Sequence, residues 1–239
     1  MMQRRPITQI HEIEVTSRCN LACVYCPHPK MQRAKMDMTM SMFMKALSAV
    51  DYFCRCGTQG ELALTGIGEA TLHPKFSDML LMARDVIGPD RLLTFSTNGI
   101  RLSDSLLHRI RDANPVVYVS LHRPELAALA IERLKRRGFK WSSNGSFATS
   151  ALDWVGTVDW HVSHPPITCE YLRSGWAVIR ADGTVGTCCW DAESVSGRIA
   201  HLDKENPSTW TTAPHKACDA CSLSIPKEVF PNHEQRIPA

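Results

Sequence analysis

From Ile10 to about Val162, short apolar runs of strand length alternate with longer segments of helical period, and this alternation constrains the fold more than any other feature of the chain. Strands joined by helical crossovers line up in parallel, with the helices packed over the sheet. The predicted strands are Ile10 to Thr16, Glu61 to Thr65, Leu92 to Ser96, Val116 to Leu121, Phe139 to Ser143 and Val158 to Ser163. Helices are predicted over Ser41 to Phe53, Lys75 to Val86, Ser103 to Arg111 and Glu125 to Arg137, each opened by a capping or proline-adjacent start. The connection from Asn144 to Gly156 holds Gly145 and a Ser/Thr-rich patch, and reads as loop or short helix. Residues 1–164 are therefore expected to form one α/β domain.

After His164 the texture changes. Pro165-Pro166 breaks the pattern, and two short runs, Trp176 to Arg180 and Thr184 to Cys188, flank the hairpin signal Ala181-Asp182-Gly183. A second, smaller module is expected over residues 165–225, followed by a loosely held tail over 226–239.

The 239 residues carry a net charge of +3, with Lys and Arg scattered, so charge selects no class of partner. No apolar stretch approaches bilayer length, and Arg4 and Arg5 are not followed by an apolar run. A cytoplasmic protein with no membrane partner is expected. In that compartment the ten cysteines should be reduced, and their clustered CxxxCxxC and CxxC spacings read as metal ligands.

Cys19, Cys23 and Cys26 follow the first predicted strand, in the loop at its C-terminal end, where barrel-type sheets carry their active sites. A structural site normally closes its coordination with four protein ligands, so three thiols point to an open, reactive metal position. With Tyr25 before the last cysteine, the run fits the CxxxCxΦC signature and resembles the radical S-adenosylmethionine (radical SAM) superfamily. The resemblance implies a partial (β/α)6 TIM-like barrel. It also implies a [4Fe-4S] cluster on the three cysteines, with S-adenosylmethionine chelating the fourth iron and yielding a 5′-deoxyadenosyl radical on reduction. Leu64 to Pro74 is similar to the family's GGEP segment, with Gly66, Gly68 and Glu69 in matching positions and Ala70 in place of proline. Asn98, in Thr97-Asn98-Gly99, and Ser120 resemble family positions near the cofactor. The family's glycine-rich fifth-strand segment is not evident around Phe139 to Gly145.

Cys169, Gly183 and Cys188 fit the opening of SPASM and twitch domains, and Cys218-x2-Cys221 supplies a further pair. The chain thus resembles a radical SAM enzyme with a shortened, twitch-type C-terminal β-hairpin/helix module. That resemblance implies an auxiliary [4Fe-4S] cluster on Cys169, Cys188, Cys218 and Cys221. A closed shell favours electron transfer, so oxidation of a small polar molecule is the expected reaction. Rearrangement, epimerisation, and modification of a nucleotide, nucleic-acid base or peptide are the alternatives. A flavodoxin or ferredoxin is the expected reductant, and a monomer the expected state. Outside this class stands a non-catalytic zinc adaptor, with His11 or His28 completing the first site and four cysteines the second.

Glu14 is placed to bind substrate or cofactor, or to fill the barrel while paired with a basic neighbour, and His122 is placed similarly. Cys189 reads as a hydrogen-atom donor or a small buried hydrophobe, and Cys54 and Cys56 as the end of a helix. Arg173, Trp190 and Asp191 flank the auxiliary cysteines; Arg133 to Arg137 is a wet helix face; Met31 to Met44 is a lid or core packing.

Overall fold

The computed structural model describes residues 5–23, 26–121, 123–144, 170–189, 193, 197–198 and 207–212. Within it the alternating pattern becomes strands β2 (Gln9–Ile13), β3 (Glu61–Ala63), β4 (Leu92–Thr97), β5 (Val116–Ser120) and β6 (Lys140–Asn144). Between them run helices α1 (Met40–Arg55), α2 (Phe76–Ile87), α3 (Asp104–Ile110) and α4 (Pro124–Arg136). The predicted sixth strand, Val158 to Ser163, lies outside the described residues.

Neighbouring strands from β2 through β6 pair in parallel and in sequence order. One face of each strand supplies the core: Leu62, Leu93, Phe95, Val117 and Val119 pack under Phe43 and Val50 of α1, Phe76 and Leu80 of α2, Leu107 of α3 and Ala130 and Leu134 of α4. The Phe76 and Phe95 rings meet edge to face at 5.0 Å. Thr39 caps α1 by accepting from Met42 N–H, and Ser103 caps α3 by accepting from Leu106 N–H.

The first strand ends earlier than its apolar run. Beyond Glu14, whose N–H still donates to Ile179 O, the backbone pairs with the returning segment instead: Met38 N–H donates to Val15 O, Ser17 N–H donates to Met36 O, and Thr16 bridges Asp37. This return carries the methionine-rich stretch into packing, with Met38 buried, Met36, Met40 and Met42 partly buried against the core, and Met44 exposed. Cys54 and Cys56 do close α1.

The hairpin over 176–186 joins the same sheet. After α5 (Glu170–Ser174), β7 (Trp176–Ile179) lies parallel to β2 on the side away from β3, and β8 (Thr184–Gly186) and β9 (Gly197–Arg198) follow antiparallel. The sheet order is β6-β5-β4-β3-β2-β7-β8-β9. A separate antiparallel pair, β1 (Arg5–Pro6) with β10 (Thr211–Thr212), closes against Ile7 and Trp210. Among the described residues no helix is long and apolar enough to cross a membrane.

The β2–β7 ladder contains a register shift between Ile10 and Glu12. A bulge places two successive residues on one side of a strand. Ile10, Ile13 and Val15 enter the core, which leaves His11, Glu12 and Glu14 on the opposite, inner face.

Candidate active site

The loop leaving β2 is tied down on several sides before it reaches its cysteines. His28 Nε2 lies 3.0 Å from Ser17 O, Thr16 Oγ1 donates to Asp37 Oδ1 at 2.7 Å, and Glu69 N–H donates to Arg18 O at 2.8 Å. Cys19, Cys23 and Cys26 are all half-buried and free. Burial pushes the Cys19 thiol up and the Cys26 thiol up to about 11, and the neighbouring cysteines add repulsion to both. Thiols raised in this way become stable thiolates only when metal offsets that cost. The donor set therefore fits an iron–sulfur cluster. Among the described residues no three His, Cys, Asp or Glu side chains are grouped to hold one metal ion; the thiolates of a cubane cluster each bind a different iron. His28 is committed to Ser17 O, while His11 stacks on Trp176 at 4.4 Å, so neither stands with the cysteines.

The turn from Gly66 to Glu69 packs directly on this loop. A Cβ on Gly68 would come within 2.7 Å of Arg18 O and 2.8 Å of the Ser17 carbonyl carbon, so only glycine allows the two backbones this approach. Glu69 is buried, and its Oε1 accepts from Thr97 Oγ1 at 2.8 Å and Thr71 Oγ1 at 2.5 Å. Its Oε2 accepts from Asn98 N–H at 2.7 Å. Burial raises the Glu69 carboxyl despite these bonds. The turn lacks the family's proline, and Glu69 shapes it instead by capping the short helical turn Ala70–Leu72.

Asn98 extends the network. Its Nδ2 donates to Asn20 Oδ1 at 2.8 Å, joining the end of β4 to the cysteine loop. Ser120 ends β5, half-buried, in the alternate set that also contains Tyr118. Gly66, Gly68, Glu69 and Asn98 are thus gathered around the loop that carries the three cysteines, with Ser120 on the neighbouring strand β5. Tyr25, His122, Cys169, Cys218 and Cys221 lie outside the described residues, as do Trp190 and Asp191.

Glu14 has both carboxylate oxygens engaged. Oε2 pairs with Arg33 Nη2 at 2.6 Å and accepts from Ile67 N–H at 3.1 Å, while Oε1 accepts from Ala181 N–H at 3.2 Å. The basic neighbour that a barrel-filling carboxylate needs is Arg33, a residue the sequence reading passed over. Through these bonds one side chain joins the cysteine loop, the Gly66 turn and the hairpin that leads to Cys188.

Glu12 was also missed. It is buried, and burial, followed by the nearby Glu14 and Cys188, pushes its carboxyl up to about 8 against the pull of Arg180. Its signal in the sequence was a second carboxylate two residues before Glu14 on a strand buried on both faces. At the end of the hairpin, Cys189 is hydrogen-bonded with Cys188 and lies 3.5 Å from Tyr171 Oη; the bond with Cys188, together with burial, raises its thiol.

Three cysteines in the loop at the C-terminal end of a parallel strand, against a glycine turn and a buried glutamate, define an iron–sulfur protein of the α/β barrel class. The sequence model of the Radical SAM superfamily matches residues 13–142, more than half of the chain. The protein belongs to the radical SAM superfamily, and with membership come S-adenosylmethionine and one [4Fe-4S] cluster.

The chain is 34% identical over 110 residues to the tungsten-containing aldehyde ferredoxin oxidoreductase cofactor-modifying protein of Pyrococcus furiosus. That match covers 46% of this chain and 29% of the relative, so the chain spans well under half of the curated protein it matches. Among solved structures, BtrN in complex with AdoMet and 2-DOIA superimposes with a TM-score of 0.63 at 20% identity, covering 87% of this chain and 86% of that one. Native anSMEcpe with bound AdoMet gives 0.59 at 14% identity, covering 84% and 82%. At these identities the likeness shows the fold.

Proposed function

We propose that this radical SAM protein oxidises a small polar substrate, with a second [4Fe-4S] cluster on Cys169, Cys188, Cys218 and Cys221 as the electron acceptor and a flavodoxin or ferredoxin as reductant. The observation that carries the reading is Glu14. Its carboxylate touches Ile67 in the cofactor turn and Ala181 in the hairpin leading to Cys188, so one side chain spans the two proposed centres. When bound, the first cluster and S-adenosylmethionine would supply the radical that removes hydrogen from the substrate, and the second cluster would take the remaining electron once the substrate's proton has passed to a base.

The chain's own contribution is positioning. Cys19, Cys23 and Cys26 hold the first cluster. Gly66 and Gly68 let the backbone lie close to the cysteine loop, and Glu69 fixes the turn against Thr97 and Asn98. Cys188 enters from β8, at the edge the hairpin adds beside β2. A second reading, modification of a nucleotide-like or peptide substrate, draws support from the Pyrococcus relative, which is a cofactor-modifying protein.

Anaerobic reconstitution tests the proposal. The wild type is expected to carry about eight irons per chain, and a Cys218→Ser/Cys221→Ser variant about four, with S-adenosylmethionine still cleaved and oxidised product lost. Two zinc ions per chain and no 5′-deoxyadenosine overturn it, as does full iron content in the double variant.

A further inference from the structure

The inner face of β2 carries a buried carboxyl oxygen with no hydrogen-bond partner among the described residues. Glu12 is 4% exposed, and its buried Oε1 makes no hydrogen bond among the described residues. Its neighbours in the ladder are Ala63 of β3 and Val178 of β7, neither of which carries a polar side-chain atom. Glu14, two residues on, is satisfied on both oxygens and has nothing to offer it.

A buried polar group left without a partner costs on the order of 1–3 kcal/mol, more for a charged one. A strand tolerates that cost where a ligand meets the group. The surroundings say what kind of ligand. Ser96, Tyr118 and Ser142 stand in one row across β4, β5 and β6, in the same alternate set as Thr94 and Ser120. Paired residues of parallel strands share a face; the row of Glu12 itself runs through Ala63, Thr94 and Val116 to Lys140 on β6, so hydroxyl groups, with one lysine at the far end of the row, stand across the sheet from Glu12. Glu14, Cys188 and Arg180 are close enough to act on its charge, which puts Glu12 between the cofactor turn and the hairpin cysteines.

We propose that Glu12 anchors the substrate, its carboxyl group bonding a hydroxyl or amino group of a small polyhydroxylated molecule held against the inner face of β2. This inference rests on the proposed oxidation of a small polar substrate and names the substrate's class. The polyol group occurs both in free sugars or cyclitols and in the ribose of nucleosides, so both are tested.

The experiment is calorimetric titration of the anaerobically reconstituted protein, loaded with S-adenosylmethionine, with myo-inositol, glucosamine and uridine. At least one probe is expected to bind the wild type saturably. Glu12→Ala should weaken that binding by about 10- to 100-fold, the loss of a buried hydrogen bond that leaves the ligand's polar group unsatisfied. Glu12→Gln, which keeps an acceptor oxygen and the side-chain shape, should recover part of it and keeps the test valid if the alanine variant fails to fold. Binding of inositol or glucosamine alone assigns a free polyol, and binding of uridine alone a nucleoside. No saturable binding by the wild type, or equal binding by wild type and both variants, overturns the proposal. Binding is read without turnover, so its failure is distinct from failure of the auxiliary-cluster reading, which the iron count of the Cys218/Cys221 variant decides.

Discussion

Gly66 lies so close over Glu14 that a Cβ at position 66 would come within 2.6 Å of the Glu14 Cβ and 2.8 Å of its Oε2. The glutamate cannot move aside, because Arg33, Ile67 and Ala181 hold both of its oxygens. Gly66→Ala is therefore expected to destabilise the protein by about 1–3 kcal/mol, as overpacking of a tight site does. It should also weaken S-adenosylmethionine binding. Chemical denaturation of the metal-free protein and equilibrium binding to the reconstituted one measure the two effects. Unchanged stability in Gly66→Ala would show that the turn is free to lift.

The pair of Glu14 with Arg33 is buried, with side-chain exposures of 2% and 9%. Removing one partner of a buried pair strands the other's charge, at a cost of about 3–5 kcal/mol. Arg33→Met should be the more damaging single change, because it leaves the buried Glu14 side chain with two backbone N–H donors and without the Arg33 guanidinium. Glu14→Gln/Arg33→Met should be less destabilised than the sum of the singles, since neither variant group is charged. Urea denaturation of the four proteins in a double-mutant cycle gives the answer. Additive losses would mean that the contact is incidental.

What was legible in the sequence, and what was not, divides by range. The strands and helices around Leu62, Leu93, Phe95 and Val117 were legible because their apolar periods are local. The Gly66 to Glu69 turn could be placed because its spacing from the cysteines fitted a signature. The parallel pairing of β7 with β2 was not, since it joins Gln9 to Trp176 and no local period reports a contact of that separation. Glu12 escaped for a different reason. Simple alternation puts Ile10 and Glu12 on one face, and the register shift at His11 reverses that, so that Ile10 sides with Ile13 in the core. Arg33 sits in a loop whose fold depends on the return of Met36 and Met38 to the strand end.

Glu69 ties its own turn to the end of β4. Thr71 follows it in the turn, Thr97 ends β4 and Asn98 begins the next loop. Glu69→Ala would leave the buried hydroxyl of Thr97 and the Asn98 N–H without an acceptor, with an expected loss of about 1–3 kcal/mol. S-adenosylmethionine affinity should fall with it, because Asn98 also holds Asn20 of the cysteine loop. Thr97→Val removes one of these bonds while keeping shape, so its loss should be a fraction of that in Glu69→Ala. Equal losses in the two variants would place the effect in packing instead.

Asp104, at the start of α3, receives Arg137 Nε at 2.8 Å and Arg136 Nη2 at 2.9 Å from the end of α4. The hydrogen bonds from Arg137 and Arg136 hold its carboxyl below the usual value of 3.8. A carboxylate whose folded value is depressed contributes stability that is fully present above the unfolded value. That contribution is lost as pH falls through the lower folded one. The tie between α3 and α4 should therefore hold from neutral pH down to about 4 and weaken below it. Because the group is exposed, added salt should weaken it as well. Asp104→Asn should make the stability of the metal-free protein less dependent on pH below that point, and less dependent on salt at neutral pH, with no change in S-adenosylmethionine binding. Thermal denaturation of wild type and variant across pH 3 to 7, at low and high salt, checks it; parallel curves for the two proteins would show that the pair contributes nothing to the fold.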